Sequence, residues 1–464
     1  MKNIFEINFI TMSILLFVLL LLFKHNIFYG YEGETYQAIE IFLSSGEIIQ
    51  QRAGIISVLS HLPFAFLNIF AKINNAQYLA LPFYTALTGS VFYVLTKNMF
   101  GDKRKAFYLS FILIFSTMLL PYSVFGMEHI FTFTALTAFT FLFLYSKNEN
   151  KYSLLLGGIF AGMAIQAKAY GILFLIPLVI YLFLIKKSLN RSVLFRRRHS
   201  GMSPSEQDSA HFEMTKNKET LILFFTPILF FIILGLWYNF AQFGSIFSTN
   251  YNLSNELQPI SLWIGITGIL FSVGKGFFIY NPVTIISLFC FKDFLKKFKN
   301  EFIFIVIFAL IFIPFNAGFS FWTDEVWGPR KLLILVPFAL LPLGCYLERI
   351  NKKKIILLAS VFLIGFYFNF VGTIYSYGKQ LTLFREVNLD SLQKMRYVPE
   401  LNQIRINSLF LKSHLHKKYY GDSLQFSYEE KSWMRNLANK ENIILSGGLV
   451  SLDDYDCPDA IFFK

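Results

Sequence analysis

Long apolar runs alternate with short polar connections over most of the chain. A membrane-spanning helix needs about 20 mostly apolar residues, and about eleven runs between residues 7 and 376 approach this length. The predicted spans are residues 7–23, 78–96, 106–126, 130–146, 152–167, 169–185, 221–241, 276–291, 302–320, 332–347 and 355–376. The pattern therefore predicts an all-α polytopic membrane protein whose transmembrane domain comprises residues 1–376.

Four of the apolar stretches need a further argument. The run from 152 to 185 is interrupted only by Lys168 and would be about 50 Å long as one helix, so a hairpin turning near Lys168 and Gly171 is predicted. Stretches 53–70 and 259–273 are ambiguous and are not counted as spans. The run 7–23 is long for a signal peptide and no small-residue cleavage site follows it, so a retained first span is predicted.

The basic residues orient this topology. With a cytoplasmic N-terminus and no crossing by 53–70, every Lys/Arg cluster falls on the cytoplasmic side, as the positive-inside rule requires. The external loops then hold only Lys24, Arg52, Lys72, Lys168, Lys275, Arg330 and Lys331. If 53–70 alone crossed, the next three clusters would be external, so this stretch is predicted to lie in or dip into the outer leaflet. The predicted location is the plasma (inner) membrane.

Composition agrees with a membrane protein. Of the 464 residues, 55% are hydrophobic and 15% are charged, whereas a soluble domain carries about 25% charged residues. The net charge of +13 does not indicate nucleic-acid binding, because the basic residues lie between apolar segments. The three cysteines form no disulfide framework and no CxxC metal signature. Residues 377–464 are predicted to form a small external C-terminal region.

Ionisable residues are rare within the spans, and the acidic and basic residues considered for a site lie in the predicted external loops. This distribution argues against an ion-coupled transporter and places the candidate site at the outer membrane boundary. In the first external loop, Glu32 and Glu34 come just before apolar residues with helical spacing, which predicts an amphipathic helix lying on the membrane. The two carboxylates either stabilise the start of this helix, or one of them receives an acceptor hydroxyl.

Two later loops carry basic residues beside spans. Lys275 lies between two glycines, where it either snorkels to the interface or joins backbone N–H groups in binding a phosphate. Arg330 and Lys331 follow an aromatic run and a Gly-Pro pair; they either orient the next span or bind a lipid phosphate. The histidines show no metal-binding spacing, and His61 is predicted to pack at the interface.

Several segments together resemble the GT-C class of membrane glycosyltransferases, which includes protein O-mannosyltransferases and lipid A aminoarabinose transferases. The segment Tyr31-Glu32-Gly33-Glu34-Thr35-Tyr36 is similar to the acidic first-loop motif of the class, and Leu120 to Glu128 is similar to a second external acidic motif. The other similar segments are Gly157 to Lys168, Tyr238 to Ser245, Phe271 to Pro282 and Gly328 to Lys331.

The resemblance implies an inverting glycosyltransferase that moves a sugar from a polyprenyl-phosphate donor to an acceptor hydroxyl outside the membrane. It implies Glu32 or Glu34 as the catalytic base, with Glu32 favoured because it stands four residues before Tyr36, and Glu128 as a second acid in the cleft. The implied phosphate-binding candidates are Lys168, Lys275, Arg330, Lys331 and Arg52. No metal ligands and no cofactor are assigned, and a divalent metal remains an open alternative.

Other functions are compatible with the same residues. A transporter or flippase of lipid-linked sugars would also need a basic cleft, but it requires a polar route across the membrane that the sequence lacks. A ligase or polymerase of lipid-linked glycans would use the same chemistry on the same side of the membrane. The expected partners are the donor lipid, an acceptor glycan, lipid or protein, and the surrounding membrane lipids, but no nucleic acid.

Overall fold

The computed structural model is helical throughout the part of the chain that it describes. It describes residues 8–24, 31–51, 53–73, 75–126, 128–199, 206–248, 261–319, 327–374, 403–404, 407–408 and 411–412. Within these ranges, the side chains of residues 31–32, 169, 189–199 and 206–218 are not described. Arg52 and most of the predicted C-terminal region lie outside the described residues. For the described ranges, the all-α prediction is confirmed.

The helices follow one another with short connections. In chain order they are α1 (Phe9–Leu21), α2 (Tyr31–Ser45), α3 (Ile55–Ile69), α4 (Ala80–Phe100), α5 (Lys103–Phe115), α6 (Glu128–Asn148), α7 (Lys151–Ala167), α8 (Ile172–His199), α9 (Glu206–Phe243), α10 (Leu262–Phe271), α11 (Phe277–Tyr280), α12 (Val283–Leu288), α13 (Phe291–Lys297), α14 (Lys299–Ala317), α15 (Leu335–Leu340), α16 (Leu343–Glu348) and α17 (Lys352–Ile374). Short 3₁₀ turns occur at Ala76–Leu79, Pro121–Ser123, Ala169–Gly171 and Arg330–Leu332.

Among the described residues, five helices are long and apolar enough to cross a membrane, judged by length and composition. They are Ala76–Phe100, Glu128–Asn148, Glu219–Phe243, Lys299–Ala317 and Lys352–Ile374. Each coincides with a predicted span. The helices α1, α3 and α10 and the stretch Leu335–Glu348 are shorter, so the number of eleven spans stays a prediction.

Three predicted spans are not continuous helices. In 106–126, α5 ends at Phe115 and a 3₁₀ turn follows. The segment 276–291 is divided at Asn281-Pro282, and the segment 332–347 is divided at Pro342. Proline has no backbone N–H to donate to the preceding turn, so the helical hydrogen bonding is interrupted at Pro282 and Pro342 although the hydrophobicity is continuous.

The first external loop forms α2 and α3. Because α2 begins at Tyr31, Glu32 and Glu34 lie in its first turn, which corrects the prediction that they precede the helix. The stretch 53–70 forms the single helix α3, with Pro63 inside it.

Helix α7 is packed closely through its small residues. A Cβ atom on Gly158 would lie 2.3 Å from the carbonyl oxygen of Phe224 in α9, and one on Gly157 would lie 3.1 Å from the Leu142 side chain in α6. Small residues at a helix interface allow backbones to approach in this way. The glycine-rich segment therefore fixes α7 between α6 and α9.

The predicted hairpin after α7 is confirmed. Helix α7 ends at Ala167, the 3₁₀ turn Ala169–Gly171 follows, and α8 begins at Ile172. The rings of Phe139 in α6 and Tyr181 in α8 stack with centroids 5.0 Å apart. The start of α6, the end of α7 and the start of α8 consequently lie at one end of the bundle.

Candidate active site

Glu128 is the first residue of α6, and its side chain is buried, with 2% of the residue exposed. The turn before it is tightly packed, because Gly126 has a φ of +90° and a Cβ there would lie 2.6 Å from the Tyr122 ring. The Tyr122 hydroxyl donates a hydrogen bond to the carbonyl oxygen of Trp327 at 2.8 Å. These contacts join the loop that carries Glu128 to the loop that precedes Arg330.

Three of the predicted cations surround this carboxylate. The Lys168 Nζ atom lies 3.2 Å from Glu128 Oε1, and the Arg330 Nε atom lies 3.8 Å from the same oxygen. Lys331 adds a third positive charge near Glu128, and its Nζ lies 5.4 Å from the centre of the Tyr170 ring. Lys168 and Tyr170 come from the connection between α7 and α8, whereas Arg330 and Lys331 come from the Arg330–Leu332 turn.

Among the described residues, this cluster combines the carboxylate of Glu128 with three cations. The side chains of Lys168 and Arg330 are each 15% exposed, whereas that of Glu128 is 3% exposed. Charges removed from water are costly unless they are paired, and three cations that converge on one point provide the donors that an anion requires. Since both cations keep some exposure, an anionic ligand can reach them while they remain paired with Glu128.

Lys275 occupies a different position from the other predicted phosphate-binding residues. It is buried, with 2% of the residue exposed, and its Nζ donates to the carbonyl oxygen of Gly328 at 3.1 Å. Gly328 has a φ of +53°, and a Cβ there would lie 2.7 Å from the Met118 sulfur atom. Lys275 therefore supports the glycine turn just before Arg330.

Gln403, which the sequence did not single out, contacts the same turn. Its Oε1 accepts a hydrogen bond from the backbone N–H of Gly328 at 3.2 Å, and the Tyr280 hydroxyl lies 3.4 Å from that oxygen. The Asn407 side chain, four residues further on, donates to the carbonyl oxygen of Val371 at 2.9 Å. The described residues of the C-terminal region thus pack directly on the transmembrane domain.

Of the two first-loop acids, Glu34 is exposed at the surface of α2 and the side chain of Glu32 is not described. The inner face of α2 is nevertheless connected to the Glu128 region. The ring of Tyr36 lies 5.4 Å from that of His61, which in turn lies 5.6 Å from that of His129. A row of buried rings therefore joins α2 to the residue after Glu128.

His61, for which packing at the interface was predicted, is fully buried within the protein. Its Nδ1 atom is 2.7 Å from the carbonyl oxygen of Ser57, and His129 Nδ1 is 2.7 Å from that of Gly126. Because a carbonyl oxygen only accepts, each Nδ1 carries the hydrogen. Burial lowers the pKa of His61 to about 4, which favours a neutral ring. The part of the chain that the structure describes contains no group of three His, Cys, Asp or Glu residues suited to a metal ion.

This chain is similar to known proteins in sequence and in fold. Residues 41–199, which include Glu128 and Lys168, match a family model described as dolichyl-phosphate-mannose-protein mannosyltransferase. The chain is also similar to the crystal structure of ArnT from Cupriavidus metallidurans bound to undecaprenyl phosphate, with 13% sequence identity and a TM-score of 0.51. The match covers 87% of this chain and 72% of the ArnT chain. The chain has the GT-C glycosyltransferase fold. The resemblance drawn from its sequence motifs is therefore confirmed.

Two further solved structures match this chain. The apo state of the same ArnT is 15% identical and overlaps 87% of this chain and 71% of its own, with a TM-score of 0.50. The archaeal oligosaccharyltransferase AglB from Archaeoglobus fulgidus is 12% identical, with a TM-score of 0.46. This match covers 90% of this chain and 61% of the AglB chain. No curated protein sequence matches this chain.

Proposed function

We propose that this GT-C protein is an inverting glycosyltransferase that moves a sugar from a polyprenyl-phosphate donor to an acceptor hydroxyl. The observation that carries the proposal is the convergence of Lys168, Arg330 and Lys331 on the buried carboxylate of Glu128. This convergence of cations suits a phosphate, which arginine binds in a bidentate manner and lysine as a point charge.

The matched proteins support a lipid phosphate as the ligand. The matched family model is named for dolichyl-phosphate-mannose, and the ArnT structure with the higher TM-score is bound to undecaprenyl phosphate. Both molecules combine a polyprenyl chain with a phosphate. In this chain, the cation cluster lies at one end of apolar helices that can span a membrane, where the phosphate of such a lipid would be held.

The proposed reaction is one displacement at the anomeric carbon. The acceptor oxygen forms the new bond to this carbon while the bond to the phosphate oxygen breaks, and the polyprenyl phosphate leaves with the electron pair. The acceptor proton passes to a carboxylate, for which we propose Glu32 or Glu34. The leaving phosphate is stable as an anion, so Lys168, Arg330 and Lys331 need only stabilise the charge that develops on it.

Glu128 has a different role in this proposal. Its oxygen already contacts two cations, so it is better suited to orienting them than to accepting a proton. Lys275 and Gln403 act one step further away, because they hold the Gly328 turn from which Arg330 projects.

Binding of undecaprenyl phosphate to the purified protein tests the donor site. Arg330→Ala should weaken binding about tenfold to a hundredfold, the usual value of a hydrogen bond to a charged group. The matched control is Arg349→Ala, whose guanidinium is 66% exposed and pairs with Asp293 at 3.0 Å. Wild-type affinity in Arg330→Ala, or no binding by the wild type, would contradict the proposal. Transfer of a labelled sugar from undecaprenyl-phosphate donors then tests the reaction itself.

The orientation is proposed from the placement of the basic residues. Lys147, Lys151 and Lys187 lie at the end of the bundle opposite Glu128, and such clusters favour the cytoplasm. Single cysteines at Ala71 and Lys187 in a cysteine-free protein test this. In intact cells, the first should react with an impermeant reagent and the second should not; the reverse pattern would invert the topology.

A further inference from the structure

A second basic site lies at the other end of α6. Helix α6 has 21 residues, so its two ends are about 30 Å apart. At the end far from Glu128, a cavity of about 690 Å³ opens between α6, α8 and the start of α14. No residue of the Glu128 cluster lines this cavity.

Four lysines from separate segments line the cavity. They are Lys147 from α6, Lys187 from α8, Lys297 at the end of α13 and Lys299 at the start of α14. Lys297 is paired with Glu348. In the part of the chain that the structure describes, no ion pair involves Lys187 or Lys299, so the cavity retains positive charge that no protein carboxylate compensates.

The single carboxylate in the lining does not remove this excess. Glu301 is buried, with 8% of the residue exposed, and its Oε1 accepts a hydrogen bond from the Tyr181 hydroxyl at 2.8 Å. It lies in the first turn of α14. The cavity lining therefore holds one carboxylate and four lysines, and one of these, Lys297, is paired with Glu348 outside the lining.

The remaining lining combines hydrogen-bond donors with an apolar wall. Helix α14 has 19 residues and no side-chain cap at Phe298, so its first backbone N–H groups add a partial positive charge. Ser188 and Asn300 contribute further donors, and Leu184 and Ile303 form the apolar side. A phosphate with an attached hydrocarbon chain matches this division, and basic pockets between membrane helices bind anionic lipid headgroups.

We propose that this cavity binds the phosphate headgroup of an anionic membrane lipid from the leaflet opposite the Glu128 site. The headgroup phosphate would contact Lys147, Lys187 and Lys299 and thereby connect α6, α8 and α14. The proposal does not depend on the transferase reaction, because the two sites share no residue. Binding of the lipid to the folded state should raise the unfolding temperature.

The test measures thermal unfolding and lipid binding of the full chain in detergent. Phosphatidylglycerol should stabilise the wild type more than phosphatidylcholine does. The combined variant Lys147→Ala, Lys187→Ala and Lys299→Ala should lose this stabilisation, with about a fivefold loss of affinity for each lysine removed. The matched control replaces Lys292, Lys352 and Lys353, which are exposed and lie outside the cavity, by Ala and should keep it.

Two further arms decide the source of the phosphate and the identity of the site. Inorganic phosphate and glycerol phosphate should not reproduce the stabilisation; if they do so in the wild type and not in the cavity variant, the ligand is a soluble phosphate and the lipid assignment is wrong. Arg330→Ala should keep the response to phosphatidylglycerol, which separates this site from the donor site. Lys187→Ala, a single substitution at an exposed position, is tested beside the combined variant. If phosphatidylglycerol stabilises both variants as much as it stabilises the wild type, the proposal is wrong.

Discussion

The two ends of α6 carry clusters of positive charge that are organised in different ways. Around Glu128, the carboxylate is buried and the paired cations are 15% exposed, held by short turns between helices. At the far end, Lys147, Lys187 and Lys299 are exposed at the rim of an open cavity. Buried charges need matched partners and fixed geometry, whereas exposed charges are screened by salt. The comparison teaches that only the Glu128 end is built to orient one particular group.

The largest effect should come from the proposed base at the Glu128 end. Positions 32 and 34 are two residues apart on helix α2 and so lie on different faces of it, and we propose that only one of the two acids is the base. Glu32→Gln should lower single-turnover sugar transfer about 10²–10⁴-fold, the usual contribution of a general base. Glu34→Gln should have a much smaller effect.

The same measurement can contradict this assignment. If Glu34→Gln is the inactive variant, Glu34 is the base. If both variants keep nearly full activity, the acidic first turn of α2 is not catalytic, and the proposed mechanism is wrong. Undecaprenyl phosphate binding by each variant is the control, since removal of a base should leave donor binding near normal.

The next effect concerns the buried carboxylate itself. Glu128→Gln would leave Lys168 and Arg330 without their shared partner, and removal of one member of a buried ion pair costs about 3–5 kcal/mol. The unfolding temperature of the variant should therefore be lower than that of the wild type. Undecaprenyl phosphate should raise the unfolding temperature of the variant by more than it raises that of the wild type. An unfolding temperature equal to that of the wild type would show that the pairing is not needed for stability. If undecaprenyl phosphate stabilises both proteins equally, the cations that pair with Glu128 are not the groups that bind its phosphate.

Much of the Glu128 end could be predicted from the sequence. Glu128, Lys168, Arg330 and Lys331 were selected because they lie in loops on one predicted side and in segments that resemble GT-C motifs, and the structure brings them together. The alternation of spans determines which loops lie at the same end of the bundle. For this reason the grouping of these loops could be predicted without knowledge of helix packing.

What the sequence could not predict depends on packing between distant segments. Lys275 has the local pattern of a phosphate-binding lysine, but its ammonium group contacts the carbonyl oxygen of Gly328. Gln403 lies in the C-terminal region, 75 residues after Gly328, and only the fold shows its contact with Gly328. The divided helices at Asn281-Pro282 and Pro342 were missed because the spans were assigned from hydrophobicity, although both prolines are visible in the sequence.

A smaller effect should come from Gln403. Gln403→Ala would leave the buried N–H of Gly328 without this acceptor, which costs about 1–3 kcal/mol. Because Arg330 lies two residues after Gly328, undecaprenyl phosphate binding should weaken about tenfold. The matched control is Ser408→Ala, whose hydroxyl bonds to Tyr367 at an exposed position. Equal affinities in the two variants would show that Gln403 does not position the turn.

The smallest effect should come from an ion pair at the far end of the bundle. Lys151 and Glu219 lie 2.7 Å apart, closer than Lys168 and Glu128, but their side chains are 68% and 52% exposed. Exposed pairs gain little because water and salt screen them. Glu219→Gln should therefore leave the unfolding temperature unchanged within error, whereas the chemically identical change at Glu128 lowers it. A comparable loss at Glu219 would mean that proximity, and not burial, sets the strength of the two pairs, and the contrast between the two ends of α6 would fail.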